Sequence, residues 1–234
     1  MSHVAIEETT IHAQAGAWVP GMARKLMQVG LGGAEHTCGI PGTLGGLIYM
    51  NGGSQRKGIG SNVVSVESVA ADGTIRQRPA QGCNFSYRHS AFQSNGEIIT
   101  AATLRFEPRP RHEIRAEMRA ILAERRRKFP RKEPNCGSVF KSNPAMYAEV
   151  GPPGAVIERL GFKGKRVNDA QVSPKHANFI VNTGRAKAAD VLALIHQIGS
   201  TVERETGYRM EAEAVYVSPD GHVQPADQIL EWIK

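Results

Sequence analysis

The hydrophobic and polar positions of this chain repeat with the period of an α-helix in several stretches. In the longer ones, apolar residues recur three or four positions apart, and a glycine or proline follows the last turn. Both features predict amphipathic helices, and the apolar face of the first consists of Met22, Leu26 and Val29. The predicted helices cover residues 20–29, 111–128, 154–160 and 188–205, and the residues that end them are Gly30, Pro130, Gly161 and Gly207.

Other stretches alternate between apolar and polar residues or form apolar runs between turn residues, which predicts β-strands. The stretch from Val172 to Asn182 is predicted to contain a strand with a polar approach, and the last strand covers Met210–Val217. Alternation in this last strand puts Glu211 and Glu213 on the same face. The remaining predicted strands cover residues 9–15, 62–69, 74–78 and 97–106, with a hairpin turn at Asp72-Gly73.

The mixture of helices and strands predicts an α+β protein with two domains. A proline-rich approach, with Pro108 and Pro110, leads into the helix predicted over residues 111–128. We place the domain boundary there, so that the first domain covers residues 1–108 and the second covers residues 109–234. A chain of 234 residues is long enough for two small domains.

The composition argues against a membrane protein and against a metalloprotein. No apolar run approaches the roughly 20 residues that span a bilayer, and the N-terminus lacks the pattern of a signal peptide. The three cysteines, Cys38, Cys83 and Cys136, are far apart and lack metal-ligand spacing. They predict reduced thiols in a cytoplasmic protein that has no membrane partner and no metal site.

The net charge of +7 is concentrated in one basic block. A solvated helix end is the first interpretation, because cations suit the C-terminal end of a helix. Steering of phosphate-bearing small molecules is the second. Nucleic-acid binding is the third, and we expect no nucleic-acid partner because no aromatic residues interleave the block. The block consists of Arg125, Arg126, Arg127, Lys128, Arg131 and Lys132.

Residues 39–46, Gly-Ile-Pro-Gly-Thr-Leu-Gly-Gly, are a candidate ligand-binding loop. Backbone N–H groups in such a loop cradle a phosphate or let a flat ring approach closely. The loop is neither a Walker loop, since no Gly-Lys-Ser/Thr follows, nor the spaced-glycine fingerprint of dinucleotide-binding proteins. A set of tight turns is the alternative interpretation.

Three further positions suggest chemistry on an anionic group. Arg88 lies in an aromatic-rich stretch and offers a planar fork that suits a carboxylate, although a surface arginine is the alternative. Ser138 follows a glycine and precedes Lys141, and a hydroxyl beside a cation suits a site where negative charge develops. A plain Gly-Ser turn is the alternative there, and a solvent-facing sheet is the alternative for the paired Glu211 and Glu213.

Taken together, these stretches resemble the UDP-N-acetylenolpyruvoylglucosamine reductases of peptidoglycan synthesis. The similarity runs from residue 9 to the end of the chain, and the order and spacing of the motifs make it specific. The matching segments are residues 38–46 with Met50-Asn51, then 87–92, 137–141, 161–164, 176–182 and 210–213.

The resemblance implies the C-terminal half of a two-part FAD-binding domain, followed by an α+β domain that binds the UDP-sugar substrate. It implies an oxidoreductase in which NADPH reduces FAD, and FAD reduces the enolpyruvyl double bond to give UDP-N-acetylmuramate. By the same resemblance the expected partner is a small-molecule UDP-sugar, and the expected state is a monomer.

The resemblance also implies a set of site residues. Ser138 is the expected proton donor, and Arg88 and Glu213 are expected to flank the substrate carboxylate and the developing enol. Expected FAD contacts are Gly39, Ile40, Pro41, Gly42, Thr43, Gly45, Gly46 and Asn51. Expected substrate contacts are Tyr87, Lys141, Asn143 and Lys163.

The chain departs from the family pattern in several places. His89 stands where most members have Asp, and Ser142 separates Lys141 from Asn143. The short linker over residues 54–62 is similar to the compact subtype. The phosphate-binding loop that precedes these motifs in the family has no counterpart before them here. This implies that the first FAD subdomain is absent, with a truncated, non-catalytic UDP-sugar-binding remnant as the alternative to an active enzyme.

Overall fold

The computed structural model describes residues 1–229, which divide into two compact units. The first unit is Met1–Arg125, and the second begins at Arg126. The sequence places the boundary earlier, at residue 108. The units divide later because the helix α3, Arg111–Lys128, contributes Ile121 to the core of the first unit. The functional assignment of the two domains stays a prediction, and residues 230–234 of the second one lie outside the described residues.

An antiparallel sheet forms the centre of the first unit. Its strands, in sheet order, are β1 (Val4–Glu7), β2 (Thr10–Gln14), β6 (Ile98–Arg105), β4 (Val63–Val69) and β5 (Ile75–Pro79). Two shorter strands, β3 (Leu31–Gly32) and β7 (Glu107–Pro108), pair with each other. The helices that precede α3 are α1 (Val19–Val29) and α2 (Leu44–Tyr49). The strands predicted in this unit are confirmed to within a few residues at their ends.

Helix α1 shows how sequence spacing sets the core of this unit. Met22 and Leu26 lie one turn apart and are buried in the hydrophobic core of the first unit. Gly30 ends the helix in the left-handed conformation, with a φ of 77°. Val29 is 50% exposed, so its assignment to the buried face was wrong. It is the last residue of α1, directly before Gly30.

A buried carboxylate fixes the start of β6. Glu97 is 7% exposed, and its side chain accepts hydrogen bonds from Ser68 Oγ at 2.6 Å and Arg78 Nη2 at 2.8 Å. Arg76 Nη1 donates to the same carboxylate at 3.2 Å. The hydrogen bond from Ser68, together with the arginine charges, lowers the pKa of Glu97 below its ordinary value of 4.5, although burial opposes this shift. These contacts join β4, β5 and β6 directly after the loop that contains Arg88.

Up to residue 229, the second unit combines a small sheet, a hairpin and three helices. Strands β8 (Arg166–Val167), β9 (Ala170–Val172) and β10 (Ile180–Asn182) form the sheet, and β11 (Val215–Val217) and β12 (Val223–Pro225) form the hairpin. The helices are α4 (Pro144–Glu149), α5 (Pro153–Arg159) and α6 (Ala188–Thr206). The long helix α6 buries Leu194, Ile198 and Val202, which confirms the predicted apolar stripe at these positions.

Two strand predictions in this unit were wrong in extent. The run from Val172 to Asn182 contains the end of β9, a loop and β10, which pair antiparallel. Ser173 N–H donates to the Phe179 carbonyl at 2.8 Å and closes this loop, whose apolar residues are buried like those of a strand. Within the predicted strand over Met210–Val217, only β11 is a regular strand. Residues 211–213 instead form backbone hydrogen bonds with residues 139–141, which belong to no sheet.

The described residues also bear on the expected chemistry. Cys38, Cys83 and Cys136 are free thiols, as predicted. Across residues 1–229, no helix is both long and apolar enough to cross a bilayer. The same residues contain no group of three or more His, Cys, Asp or Glu side chains arranged to hold a metal ion.

Glu97 should make stability depend on acid pH. A carboxyl whose pKa is lowered by folding stabilises the protein above its ordinary pKa, and this contribution is lost as the pH falls through the folded pKa. We therefore expect the free energy of unfolding to decrease as the pH falls below 4.5, and Glu97→Gln to flatten this dependence. Urea unfolding at a series of pH values measures both slopes.

Glu107→Gln is the matched control, because Glu107 is an exposed carboxylate in the same unit. It should keep the wild-type slope. Identical slopes for the wild type and Glu97→Gln would contradict the assignment.

Candidate functional site

The glycine-rich loop is fixed to the sheet by backbone hydrogen bonds. Leu44 N–H donates to the Ala17 carbonyl at 2.8 Å, and Gly45 N–H donates to the Ala15 carbonyl at 2.8 Å. These two N–H groups are therefore not available to bind a phosphate. The flat-ring interpretation of this loop does not depend on these two N–H groups.

Two glycines of the loop lie close to neighbouring side chains, and packing against Ala15 requires glycine at position 45. A Cβ atom at Gly39 would lie 2.6 Å from Arg125 Cδ, and a Cβ at Gly45 would lie 2.9 Å from Ala15 Cβ. Ile40, between them, packs partly buried against the hydrophobic core. These positions shape the loop, and their predicted contact with FAD stays a prediction.

Two other glycines face open space. A Cβ atom at Gly42 would meet no atom within 4 Å, and at Gly46 the nearest atom would be Thr43 Oγ1 at 3.8 Å. Both glycines are exposed, as is Pro41, and Thr43 pairs with Trp18, which is 54% exposed. Bare backbone without side chains lets a planar group come close. This strip therefore fits an isoalloxazine ring such as that of FAD.

Asn51 joins two loops next to α2. Its Nδ2 donates to the Ser86 carbonyl at 2.8 Å, and its Oδ1 accepts from Gly60 N–H at 2.9 Å. Its backbone is left-handed, with a φ of 41°, a conformation that asparagine tolerates better than most residues. The amide therefore supports the turn that begins at Ser86, and its predicted contact with FAD stays a prediction.

Arg88 lies in a tight turn. Ser86 and His89 exchange two backbone hydrogen bonds, both 3.2 Å long. Arg88 is the third residue of this turn and has a φ of 55°, a conformation that costs free energy for any residue except glycine. It is partly buried, whereas Tyr87 at the tip is 58% exposed. A strained and partly buried arginine favours the functional interpretation over that of a surface cation.

In the second unit, residues 138–141 are held along one edge by Asn178. Phe140 N–H donates to Asn178 Oδ1 at 2.9 Å, and Asn178 Nδ2 donates back to the Phe140 carbonyl at 2.9 Å. The Asn178 carbonyl also accepts from Val139 N–H at 2.9 Å. Asn178 is 7% exposed. Its side-chain amide supplies Phe140 with the donor and the acceptor that a neighbouring strand would supply in a sheet.

The other edge of the same segment is held by residues 211–213. Glu213 N–H donates to the Val139 carbonyl at 2.7 Å, and Lys141 N–H donates to the Glu211 carbonyl at 2.9 Å. Ala212, between the two glutamates, is buried, which agrees with the predicted alternation. Glu211 is exposed, whereas Glu213 is partly buried. The solvent-facing alternative therefore applies to Glu211 alone.

Ser138 is fixed by the residues on both sides of it. Gly137 has a φ of 84°, and its N–H donates to Asn135 Oδ1 at 2.9 Å. A Cβ atom at Gly137 would meet nothing within 4 Å, so its backbone conformation, not space, requires glycine. Val139 on the other side has both backbone groups bonded. Ser138 is partly buried and lies at the start of the held segment.

Three predicted substrate contacts already have partners within the second unit. Lys141 Nζ lies 3.5 Å from Glu211 Oε2, and Lys163 Nζ lies 2.7 Å from Glu158 Oε1. Asn143 Oδ1 caps α4 by accepting hydrogen bonds from the first N–H groups of that helix. Exposed ion pairs contribute little to stability, so the lysines are able to change partner. Their contact with substrate stays a prediction.

His176 has structural contacts. Its Nδ1 accepts from Asn178 N–H at 3.2 Å, and its ring lies 5.4 Å from that of Phe129 and 5.2 Å from that of Phe179. Burial, followed by the charges of two lysines, lowers the pKa of His176 below its ordinary value. The ring therefore stays neutral near neutral pH and packs against the aromatic residues.

The structure brings the predicted residues into one group in each unit. In the first unit, the exposed glycines and Arg88 lie on elements that adjoin α2. In the second unit, Ser138, Lys141 and Glu213 lie on the two paired segments. Sequence reasoning missed the role of Asn178, which carries no periodic signal and was noted only as part of a longer matching segment.

Comparison with known proteins gives the class of protein. Residues 1–77 match the family described as "FAD binding domain". Residues 129–217 match the family described as "UDP-N-acetylenolpyruvoylglucosamine reductase, C-terminal domain". The chain is therefore an α+β protein that combines an FAD-binding domain with a reductase C-terminal domain, which confirms the predicted fold class and supports FAD as the cofactor.

Individual relatives give the family. UDP-N-acetylenolpyruvoylglucosamine reductase 1 of Corynebacterium glutamicum is 44% identical over 98% of this chain and 69% of the relative. Reductase 2 of Symbiobacterium thermophilum is 39% identical over 91% of this chain and 67% of the relative. The crystal structure of the Thermus caldophilus reductase aligns with a TM-score of 0.74 and 32% identity, over 86% of this chain and 70% of that one. This chain belongs to the UDP-N-acetylenolpyruvoylglucosamine reductase family.

Asn178→Ala should destabilise the second unit. The change leaves the N–H and the carbonyl of Phe140 without their bonds to this side chain, and each unsatisfied buried group costs about 1–3 kcal/mol. We expect the second unit of the variant to unfold at a clearly lower urea concentration than that of the wild type. A spectroscopic probe in the second unit measures the midpoint of this transition.

Gln224→Ala, an exposed amide in the same unit, is the control and should change stability by less than about 0.5 kcal/mol. If both variants unfold at the wild-type midpoint, Asn178 does not hold residues 138–141.

Proposed function

We propose that this protein is an FAD-dependent reductase that converts UDP-N-acetylglucosamine enolpyruvate to UDP-N-acetylmuramate. NADPH is the reductant, and the reaction belongs to peptidoglycan precursor synthesis in the cytoplasm. The observation that carries the proposal is the placement of Ser138 and Glu213 on two segments joined through the Val139 carbonyl. Membership in the reductase family supports the choice of substrate.

The reaction sets a clear task for the side chains. FAD, when bound, supplies the hydride that is added to the enolpyruvyl double bond. Hydride addition at one alkene carbon leaves carbanion character on the other, next to the substrate carboxylate. The protein must therefore stabilise an enolate-like anion and then deliver a proton to carbon.

Three residues divide this task. Ser138 Oγ–H gives its proton to the carbanion, and its fixed backbone places the hydroxyl before the reaction begins. Arg88 pairs its planar guanidinium with the substrate carboxylate. Glu213, on the segment paired with that of Ser138, acts on the developing enol. The proposed substrate contacts are Tyr87, Lys141, Asn143 and Lys163.

Ser138→Ala should separate the two halves of the reaction. Reduction of bound FAD by NADPH does not need the hydroxyl, so its rate should stay near that of the wild type. Reduction of the sugar should slow by about 10²–10⁴-fold, the usual contribution of general acid catalysis. Stopped-flow measurement of each half-reaction in the full-length, FAD-loaded protein tests this.

Ser200→Ala, at an exposed serine in α6 of the same unit, is the matched control and should leave both half-reactions close to wild type. Equal slowing of the two half-reactions in Ser138→Ala would rule out its role as the proton donor.

Arg88→Lys tests the contact with the substrate carboxylate. Lysine keeps the charge but loses the planar fork, so kcat/KM for the enolpyruvyl sugar should fall about 10–100-fold. Steady-state kinetics with varied sugar concentration measure the change, and the KM for NADPH should stay unchanged.

Arg105→Lys, an exposed arginine in β6, is the control and should behave as wild type. Wild-type turnover in Arg88→Lys would mean that Arg88 does not bind the substrate.

A further inference from the structure

One backbone carbonyl connects α2 to the segment that contains Arg88. The Tyr49 carbonyl, at the last residue of α2, accepts from Ser90 Oγ at 2.7 Å and from Gln93 Nε2 at 2.8 Å. Gln93 Nε2 also donates to the Arg88 carbonyl at 3.0 Å. The nitrogen of a side-chain amide carries two hydrogens, so Gln93 donates one hydrogen to each of the two carbonyls.

These bonds act where the backbone is strained. Arg88 adopts a φ of 55°, which a residue with a Cβ atom keeps only when its surroundings enforce it. Ser90 is fully buried and Gln93 is partly buried, and the hydrogen bond from Gln93 to the Arg88 carbonyl is itself partly buried. The hydrogen bond from Gln93 to the Arg88 carbonyl is the direct side-chain restraint on this residue's backbone.

The same helix adjoins the exposed glycines. Helix α2 begins at Leu44, directly after Gly42 and Thr43, and ends at Tyr49, which Gln93 binds. Gly42 therefore precedes α2 and Gly46 lies within it, on the same helix as the Tyr49 carbonyl that anchors the Arg88 turn. Gln93 sets the position of Arg88 relative to these exposed glycines within the first unit.

We propose that Gln93 is a positioning residue for Arg88. It holds the Arg88 turn on the end of α2, so that the guanidinium is presented to the substrate carboxylate without rearrangement. This inference rests on the proposed function, in which Arg88 binds that carboxylate. Loss of the Gln93 donor should release the turn, weaken the use of the enolpyruvyl sugar, and leave the reaction with NADPH unaffected.

The variant Gln93→Met tests this in the full-length, FAD-loaded protein. Methionine has a similar length but no donor, whereas Gln93→Lys restores donors through its ammonium group. The first readout does not depend on activity and is the rate of tryptic cleavage after Arg88. Mass spectrometry measures this rate and distinguishes the cleavage from that after a lysine at position 93. The second is KM and kcat for the sugar, and the third is the rate of FAD reduction by NADPH.

We expect Gln93→Met to raise the cleavage rate several-fold and the KM for the sugar about 10-fold, with FAD reduction unchanged. Gln93→Lys should return both values towards wild type, which a loss of packing alone would not predict. If the methionine variant does not fold, Gln93→Asn replaces it, because its amide is one methylene too short to reach both carbonyls.

Equal cleavage of wild type and Gln93→Met would overturn the inference. Faster cleavage with an unchanged KM would also overturn it, provided that Arg88→Lys itself lowers kcat/KM. If Arg88→Lys behaves as wild type, it is the proposed function that fails, and the cleavage rates alone then decide whether Gln93 holds the turn.

Discussion

The pair of hydrogen bonds between the Asn178 side chain and the backbone of Phe140 is the interaction on which the site in the second unit depends. Residues 138–141 belong to no sheet, so their N–H and carbonyl groups need partners from elsewhere. Asn178 supplies them on one edge, and residues 211–213 supply them on the other. Without Asn178, two buried backbone groups would lose their bonds, and Ser138 would lose the support that fixes its hydroxyl beside the segment of Glu213.

In the first unit, side-chain amides likewise form hydrogen bonds with backbone groups that lie outside regular secondary structure. Asn51 joins the Ser86 carbonyl to Gly60 N–H, and Gln93 joins the Tyr49 carbonyl to the Arg88 carbonyl. In each case the chain leaves regular secondary structure, and an amide supplies the donor or acceptor that a sheet would have given. Irregular backbone places polar side chains in positions that strands and helices do not offer, at the cost of needing such supports. This is why functional groups and amides occur together here.

The sequence predicts the regular elements well and these supports poorly. Helices α1, α3 and α6 follow from two features of the sequence. Their apolar spacing reflects the burial of one face, and a glycine or proline follows the last turn. The run from Val172 to Asn182 was assigned to one strand because its loop is as buried as its strands, and burial rather than strand pairing determines apolarity. Gln93 and Asn178 have no periodic signal, because their roles depend on contacts distant in sequence. The glycine-rich loop was identified by composition, but only the structure separates Gly45, which packing requires, from Gly42 and Gly46, which face open space.

The central claim, that the enolpyruvyl sugar accepts the hydride supplied by FAD in this protein, is tested by adding the sugar to the full-length protein after anaerobic reduction by NADPH. One equivalent of UDP-N-acetylglucosamine enolpyruvate should restore the absorbance of oxidised flavin and yield UDP-N-acetylmuramate, identified by its mass. UDP-N-acetylglucosamine, which lacks the double bond, should restore nothing. Flavin that stays reduced with the enolpyruvyl sugar, or returns equally with both sugars, would contradict the claim.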